Sequence, residues 1–195
     1  LATAATTSTN LGTPAITQGT LTNTNNGNYD ITYNNGTLTI NKATLTYTAT
    51  PATSVYGSTP SVNAGTVTGF VNNETASVLT GTLLFSTTAT GTSNVGSYAI
   101  NGSGYSSSNY QFVQAAGNST ALTINKATLT VTADNQTRVY GDANPTLSYV
   151  ITGYVNSQNL GSSGVTGAPT ISTTATQGSN VGSYMITSAA NNLAA

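Results

Sequence analysis

The chain has 195 residues, of which 3 are Lys or Arg and 4 are Asp or Glu, with no His and no Cys. A charged fraction of 4%, against about 25% in ordinary soluble domains, leaves Thr, Ser and Asn to supply the polarity. Disulfides, thiol nucleophiles, imidazole bases and the common zinc sites are excluded, and a net charge of −1 lacks the basic footprint that nucleic acid or an anionic membrane surface would attract.

The chain repeats itself. Asn10-Leu11-Gly12 before Ile16 returns as Asn94-Val95-Gly96 before Ile100 and again as Asn180-Val181-Gly182 before Ile186, at shifts of 84 and 86. Ile40 to Thr46 (I-N-K-A-T-L-T) returns at Ile124 to Thr130, again at a shift of 84. A period of that size is a string of small domains, each able to bury a core of its own. The predicted division is residues 1–42 as the second half of one module, 43–126 as a complete module, and 127–195 as a module without its last strands.

Within the complete module, Thr44 to Ala49 alternates polar and apolar, which predicts a half-buried strand with Leu45 and Tyr47 inward. Tyr56-Gly57 follows, the glycine predicted at φ > 0 in a turn that the tyrosine anchors. Val67 to Val71 is a second strand, and Asn72 to Leu79, with Asn at the cap and Gly81 at the exit, is the candidate helical turn. Leu83–Ser86, Tyr98–Ile100, Tyr110–Val113 and Leu122–Ile124 complete the strands. The next module repeats the landmarks with Leu129, Val131, Tyr140-Gly141 and Tyr184. Val55, Val95, Tyr98, Ile100, Leu122 and Ile124 are expected in the same core as Leu45, Tyr47 and Tyr56, and the recurring tyrosines are expected as core anchors. The fold class is mainly β, in tandem modules of about 84 residues, each with at most one short helix.

Only Asn41 to Thr44 separates the closing strand Leu38-Thr39-Ile40 from the next strand. So short a link contains no flexible hinge, and consecutive modules are expected to touch. Lys42 and Lys126 sit in these junctions, either as contact groups or, as we favour, as solvated charges that discourage sheet-edge association. They are the only charges that recur: Asp30 faces Gln111, Glu74 faces Gln158, and Asp134, Arg138 and Asp142 face Thr50, Ser54 and Ser58. Chemistry common to the modules therefore cannot rest on carboxylates, a calcium cluster or a carboxylate-assisted Lys–Asn crosslink. No catalytic, metal or cofactor site is expected. The threonine rows Thr44, Thr46, Thr48 and Thr128, Thr130, Thr132 fit a charge-free solvent face. They also admit a reading as a carbohydrate- or ice-binding face. Sequons at Asn35, Asn73, Asn101, Asn118 and Asn135 follow from Asn and Thr abundance.

The stretches Ala127 to Pro145 (A-T-L-T-V-T-A-D-N-Q-T-R-V-Y-G-D-A-N-P), Val150 to Asn156 (V-I-T-G-Y-V-N), Ser172 to Tyr184 and Asn28 to Ile40 resemble the MBG, or mostly beta grasp, repeats of the YDG/YGX type in large bacterial surface proteins and haemagglutinin-like adhesins. The resemblance covers nearly the whole chain, although Ser58 replaces the Asp of the Tyr-Gly-Asp turn in the middle module. It implies a β-grasp-like module, with an Ig-like one as the variant. It also implies a non-catalytic building block of an extracellular stalk, fibre or filament whose surface ligand is unknown. Neighbouring modules or subunits are the expected partners, without nucleic acid and without membrane insertion. The last module stops short of the counterparts of Tyr110–Phe112 and Leu122–Ile124. Continuing chain is expected to fill that gap, or else a strand added by a neighbouring subunit, Tyr29 to Tyr33 or Thr37 to Ile40.

Overall fold

The computed structural model describes residues 2–20, 24, 28–190 and 192–194. Ahead of the first junction stand β1 (Ala2–Thr3), β2 (Ala15–Thr17) and β3 (Gly36–Thr37). The second module holds β4 (Ala43–Ala49), β5 (Ala52–Val55), β6 (Gly65–Thr68), β7 (Thr80–Ser86), β8 (Gly96–Tyr98), β9 (Asn101–Ser106), β10 (Tyr110–Gln114) and β11 (Leu122–Asn125). The third holds β12 (Thr130–Ala133), β13 (Tyr149–Thr152), β14 (Thr170–Thr173) and β15 (Ile186–Ala189). Two short 3₁₀ turns, Ala76–Val78 and Ala116–Thr120, are the helical elements among the described residues. The chain is mainly β, as the alternation predicts. No helix among the described residues is long and apolar enough to cross a membrane, which says nothing of a β-barrel.

β4 is the centre of the complete module. It pairs in parallel with β10, Phe112 opposite Leu45, and antiparallel with β6, Tyr47 opposite Val67. Leu45, Tyr47 and Ala49 are buried while Thr44 and Thr48 face solvent, because successive side chains of a strand point to opposite faces. The Tyr47 ring stacks on Phe112 at a centroid distance of 5.2 Å and meets Phe85 edge-on at 6.4 Å. Gly102 makes room for that ring, since a Cβ there would lie 2.5 Å from the Tyr47 Cβ. β7 pairs with β9 across a register shift between Gly81 and Leu84, and β11 runs between β5 and β8.

The repeat is written in the hydrogen-bond register. Tyr47 opposite Val67 in β4–β6 becomes Val131 opposite Ile151 in β12–β13, both partners shifted by 84. Phe85 opposite Gly102 in β7–β9 becomes Ile171 opposite Ser188 in β14–β15, both shifted by 86. At the start of the chain, Ala2 opposite Thr17 is the counterpart, one period earlier, of Ser86 opposite Asn101. Register fixes which side chains face inward. The modules therefore share one pattern of inward positions.

By compactness the chain divides into two units, residues 1–52, 61–88 and 97–123, and residues 53–60, 89–96 and 124–195, which do not coincide with the sequence modules. The first contains the β10-β4-β6 sheet, the β7-β9 pair and the β1-β2-β3 sheet. The second contains the β12-β13 and β14-β15 pairs, with Ser188 Oγ donating to Val131 O at 3.3 Å between them.

Two expectations are corrected. The helical turn expected within Asn72 to Leu79 is present as the 3₁₀ turn Ala76–Val78, but Asn72 is not its cap: Asn72 and Asn73 have φ of 55° and 58°, and the cap is Thr75, whose Oγ1 accepts from Ser77 N. Left-handed backbone suits Asn and cannot propagate a helix. Val55 and Val95, expected inside, are 44% and 49% exposed.

Candidate module junctions

Two short segments recur from module to module, and each is built by its own residues. The first is a Thr-x-x-Thr/Ser loop present three times. In it Thr6 N donates to Thr9 Oγ1 at 2.6 Å, Thr90 N to Ser93 Oγ at 2.9 Å and Thr176 N to Ser179 Oγ at 2.8 Å. The return bonds Thr9 N to Thr6 O, Ser93 N to Thr90 O and Ser179 N to Thr176 O close each loop. A hydroxyl folded back on its own backbone rigidifies such a loop. The second segment is the turn after the Gly-Phe/Tyr-Val motif. Glu74 N donates to Val71 O and Gln158 N to Val155 O, each at 3.0 Å, over paired left-handed residues: Asn72 and Asn73 in one, Asn156 (φ 53°) and Ser157 (φ 58°) in the other.

The two segments meet in each compact unit. In the first, Asn72 Nδ2 donates to Thr7 O at 3.3 Å. In the second, Asn156 Nδ2 donates to Gly91 O at 3.1 Å. Donor and acceptor are both displaced by one period, so this is one contact seen twice. The first unit adds Asn109, whose Oδ1 accepts from Leu11 N at 3.2 Å and whose Nδ2 donates to Asn10 Oδ1 at 2.9 Å. The second adds Gly57, with φ at 95° and its N–H on Gly91 O at 3.0 Å. A Cβ on Gly57 would stand 2.5 Å from the Val155 Cβ, closer than real Cβ atoms approach. Gly141, the counterpart of Gly57, has φ at 91° and nothing within 4 Å of where its Cβ would lie.

Of the residues singled out in the sequence, Leu45, Tyr47, Ile100, Leu122 and Ile124 are each buried. Tyr56, Gly57, Tyr98, Leu129 and Val131 are half-buried. Tyr140 is 63% and Tyr184 41% exposed, so as core anchors these two are corrected. Tyr56 N donates to Asn125 O and β8 pairs with β11, whereas among the described residues no strand stands in that place for Tyr140 or Tyr184. These two line an open groove of about 600 Å³ in the second unit, together with Arg138, Leu147 and Met185. Arg138 Nε donates to Asn144 Oδ1 at 2.8 Å, and its Nη2 to Thr176 O. Of the junction lysines, Lys42 Nζ donates to Ser107 O at 3.0 Å, and Lys126 is exposed. The threonine rows are largely solvent-facing, with Gln111 Nε2 donating to Thr44 Oγ1 at 2.9 Å. Of the two segments considered as added strands, Thr37 is already paired in β3 and Ile40 bridges Gly12, while Tyr29 is 76% exposed.

Sequence reasoning missed the polar interior. Asn118, noticed only as a sequon, is 2% exposed. Its Oδ1 accepts from Ala49 N at 2.9 Å, and its Nδ2 donates to Tyr47 O at 3.0 Å and Gln114 Oε1 at 2.8 Å. Gln114 grips Gly102 by both backbone groups. Tyr110 is buried, stacks edge-on against Phe70, donates from its hydroxyl to Glu74 Oε2 at 2.5 Å and accepts from Val71 N. Burial pushes its pKa above the ordinary tyrosine value, and the bond to the Glu74 carboxylate adds to the rise. Asn34, the counterpart of Asn118 in the preceding module, was the available signal.

Recurring register, recurring loops and a recurring asparagine contact define a tandem β-repeat protein. The model of the family described as MBG domain (YGX type) matches it three times, over residues 1–39, 45–120 and 129–194. The chain belongs to that family, whose domains occur as repeat modules of surface-associated proteins. No curated protein and no solved structure matches the chain.

Proposed function

We propose that this chain is a structural and adhesive segment of a bacterial extracellular stalk, fibre or filament, and that it is not an enzyme. One observation carries the reading: backbone register and turn geometry recur from module to module, while of the charged side chains only Lys42 and Lys126 do and every carboxylate is replaced. A repeated catalytic or binding function would keep its reactive groups, whereas a spacer needs matched cores and matched ends. The few charges leave the surface to Thr, Ser and Asn, which stay hydrated at any pH.

The test uses cells that carry the full-length gene. Antibody raised against residues 43–126 should label intact cells, and deleting one whole module should shorten the surface projection by one constant step. Labelling confined to permeabilised cells would refute the extracellular assignment; an unchanged projection would refute the spacer.

A further inference from the structure

The Tyr-Gly turn is understood from sequence as a local device, a glycine at φ > 0 that lets the chain reverse. Gly57 has a second constraint. Its missing Cβ is the space that Val155 fills, and the Gly91 carbonyl beside it accepts both Gly57 N–H and the side-chain amide of Asn156. Val155 and Asn156 belong to the module after the one that contributes Gly57 and Gly91.

We propose that the Tyr-Gly turn and the Thr-x-x-Ser loop of one module form a socket for the Val-Asn turn of the module that follows it in the same polypeptide. The inference rests on the reading of the chain as an array and adds what fastens its members. Three observations support it. Asn72 on Thr7 and Asn156 on Gly91 are the same bond one period apart, in two different units. Both donors are held at positive φ, 55° and 53°, a conformation that aims the amide and that most residues avoid. Val155, seated on Gly57, is half-buried, while its counterpart Val71 is 46% exposed. The partner the socket selects is therefore chemically defined: a β-branched residue followed by a left-handed Asn.

Gly57 and Gly141 separate the joint from the turn. Both have φ near 90°, so alanine strains both turns alike, yet only at position 57 does the added Cβ meet Val155. Residual dipolar couplings of the 15N-labelled full chain report whether the second and third modules align together. In the unaltered chain one alignment tensor should fit both. Gly57→Ala should uncouple the third module from the second, and Gly141→Ala should not. Asn156→Gly keeps the positive φ and removes the donor, so it should loosen the same joint while the β4–β10 amides keep their exchange protection. If Gly57→Ala unfolds the module, Asn156→Gly alone decides. Separate tensors in the unaltered chain, equal effects of the two glycine substitutions, or couplings unchanged by Asn156→Gly would each overturn the proposal. Cell-surface labelling is independent of all three, so failure here leaves the stalk reading standing.

Discussion

Leu45 on β4 is 0% exposed, whereas Leu129, its counterpart just ahead of β12, is half-buried. Tyr56 and Tyr98 are half-buried, while Tyr140 and Tyr184 are 63% and 41% exposed. The second and third modules share register and turn dihedrals, and the difference lies in what covers those positions. In the second module β10 lies along β4, and Asn118 of the Ala116–Thr120 turn bonds to Ala49 N and Tyr47 O, while Tyr110, Leu122 and Ile124 are themselves buried. A strand's alternation decides which side chains point inward; whether they are buried depends on elements remote in sequence, such as Asn118 against Ala49.

Truncating the shared leucine is the strongest way to break the comparison. Leu45→Ala removes a fully buried side chain and should destabilise the second module by about 2–5 kcal/mol, whereas Leu129→Ala, already half in water, should cost about 1 kcal/mol. Urea midpoints of the two variants measure this, and equal shifts would show that burial is alike in the two modules. Next in size is Asn118→Ala, which strands the Ala49 N–H in the interior and should cost about 1–3 kcal/mol. Asn34→Ala, at the exposed counterpart, should stay within about 0.5 kcal/mol.

Much of the β architecture is legible without coordinates, because Thr44 to Ala49 has the period of a strand and the internal repeat supplies its own comparison. The inward direction of Leu45, Tyr47, Ile100, Leu122 and Ile124 follows from that. The rest depends on facts that no local pattern carries. The turn at Asn72 looks like a helix cap, since Asn serves both purposes, and only the paired positive φ values distinguish them. Asn118 looks like a glycan acceptor, yet its buried side chain is a core hydrogen-bond clip that no glycosyltransferase could reach in the folded module. Val55 and Val95 are apolar and still exposed, because exposure of single valines costs little and tells little. The joint was the least legible element. Its glycine satisfies a local turn rule, so nothing in the sequence marks the second role.

A smaller effect sharpens the comparison by pH. Tyr110 has its pKa raised in the folded state by burial and by donation to Glu74, so the folded module holds that proton more tightly than the unfolded chain does. Its contribution is fully present below the unfolded tyrosine value of about 10 and is lost as pH rises through 10 toward the folded value. Melting of the second module should therefore be flat from mild acid to mild base and fall in strong alkali. In Tyr110→Phe the alkaline fall attributable to this group should vanish, with the whole curve lowered because Glu74 and Val71 N lose their partner. An alkaline limb of undiminished size in that variant would remove Tyr110 as its cause.

The smallest expected effect is a gain. Tyr154 is the counterpart of Phe70 at the start of the turn that enters the joint, and its hydroxyl is buried with no hydrogen-bond partner among the described residues. Phe70, in the same place, has no hydroxyl to satisfy and packs edge-on against Tyr110 at 5.8 Å. A buried hydroxyl left unpaired forfeits its hydration with nothing in return, whereas the ring alone keeps its apolar contacts. Tyr154→Phe should accordingly leave the third module as stable as before or raise its stability by up to about 1 kcal/mol. Removing a ring hydroxyl elsewhere in this chain acts the other way: Tyr47 OH accepts from Tyr105 N at 3.3 Å, so Tyr47→Phe should lower stability. Thermal melts of the two variants side by side test the contrast. If Tyr154→Phe proves as harmful as Tyr47→Phe, the Tyr154 hydroxyl has a partner in solution, and the third module is more completely enclosed than its exposed tyrosines indicate.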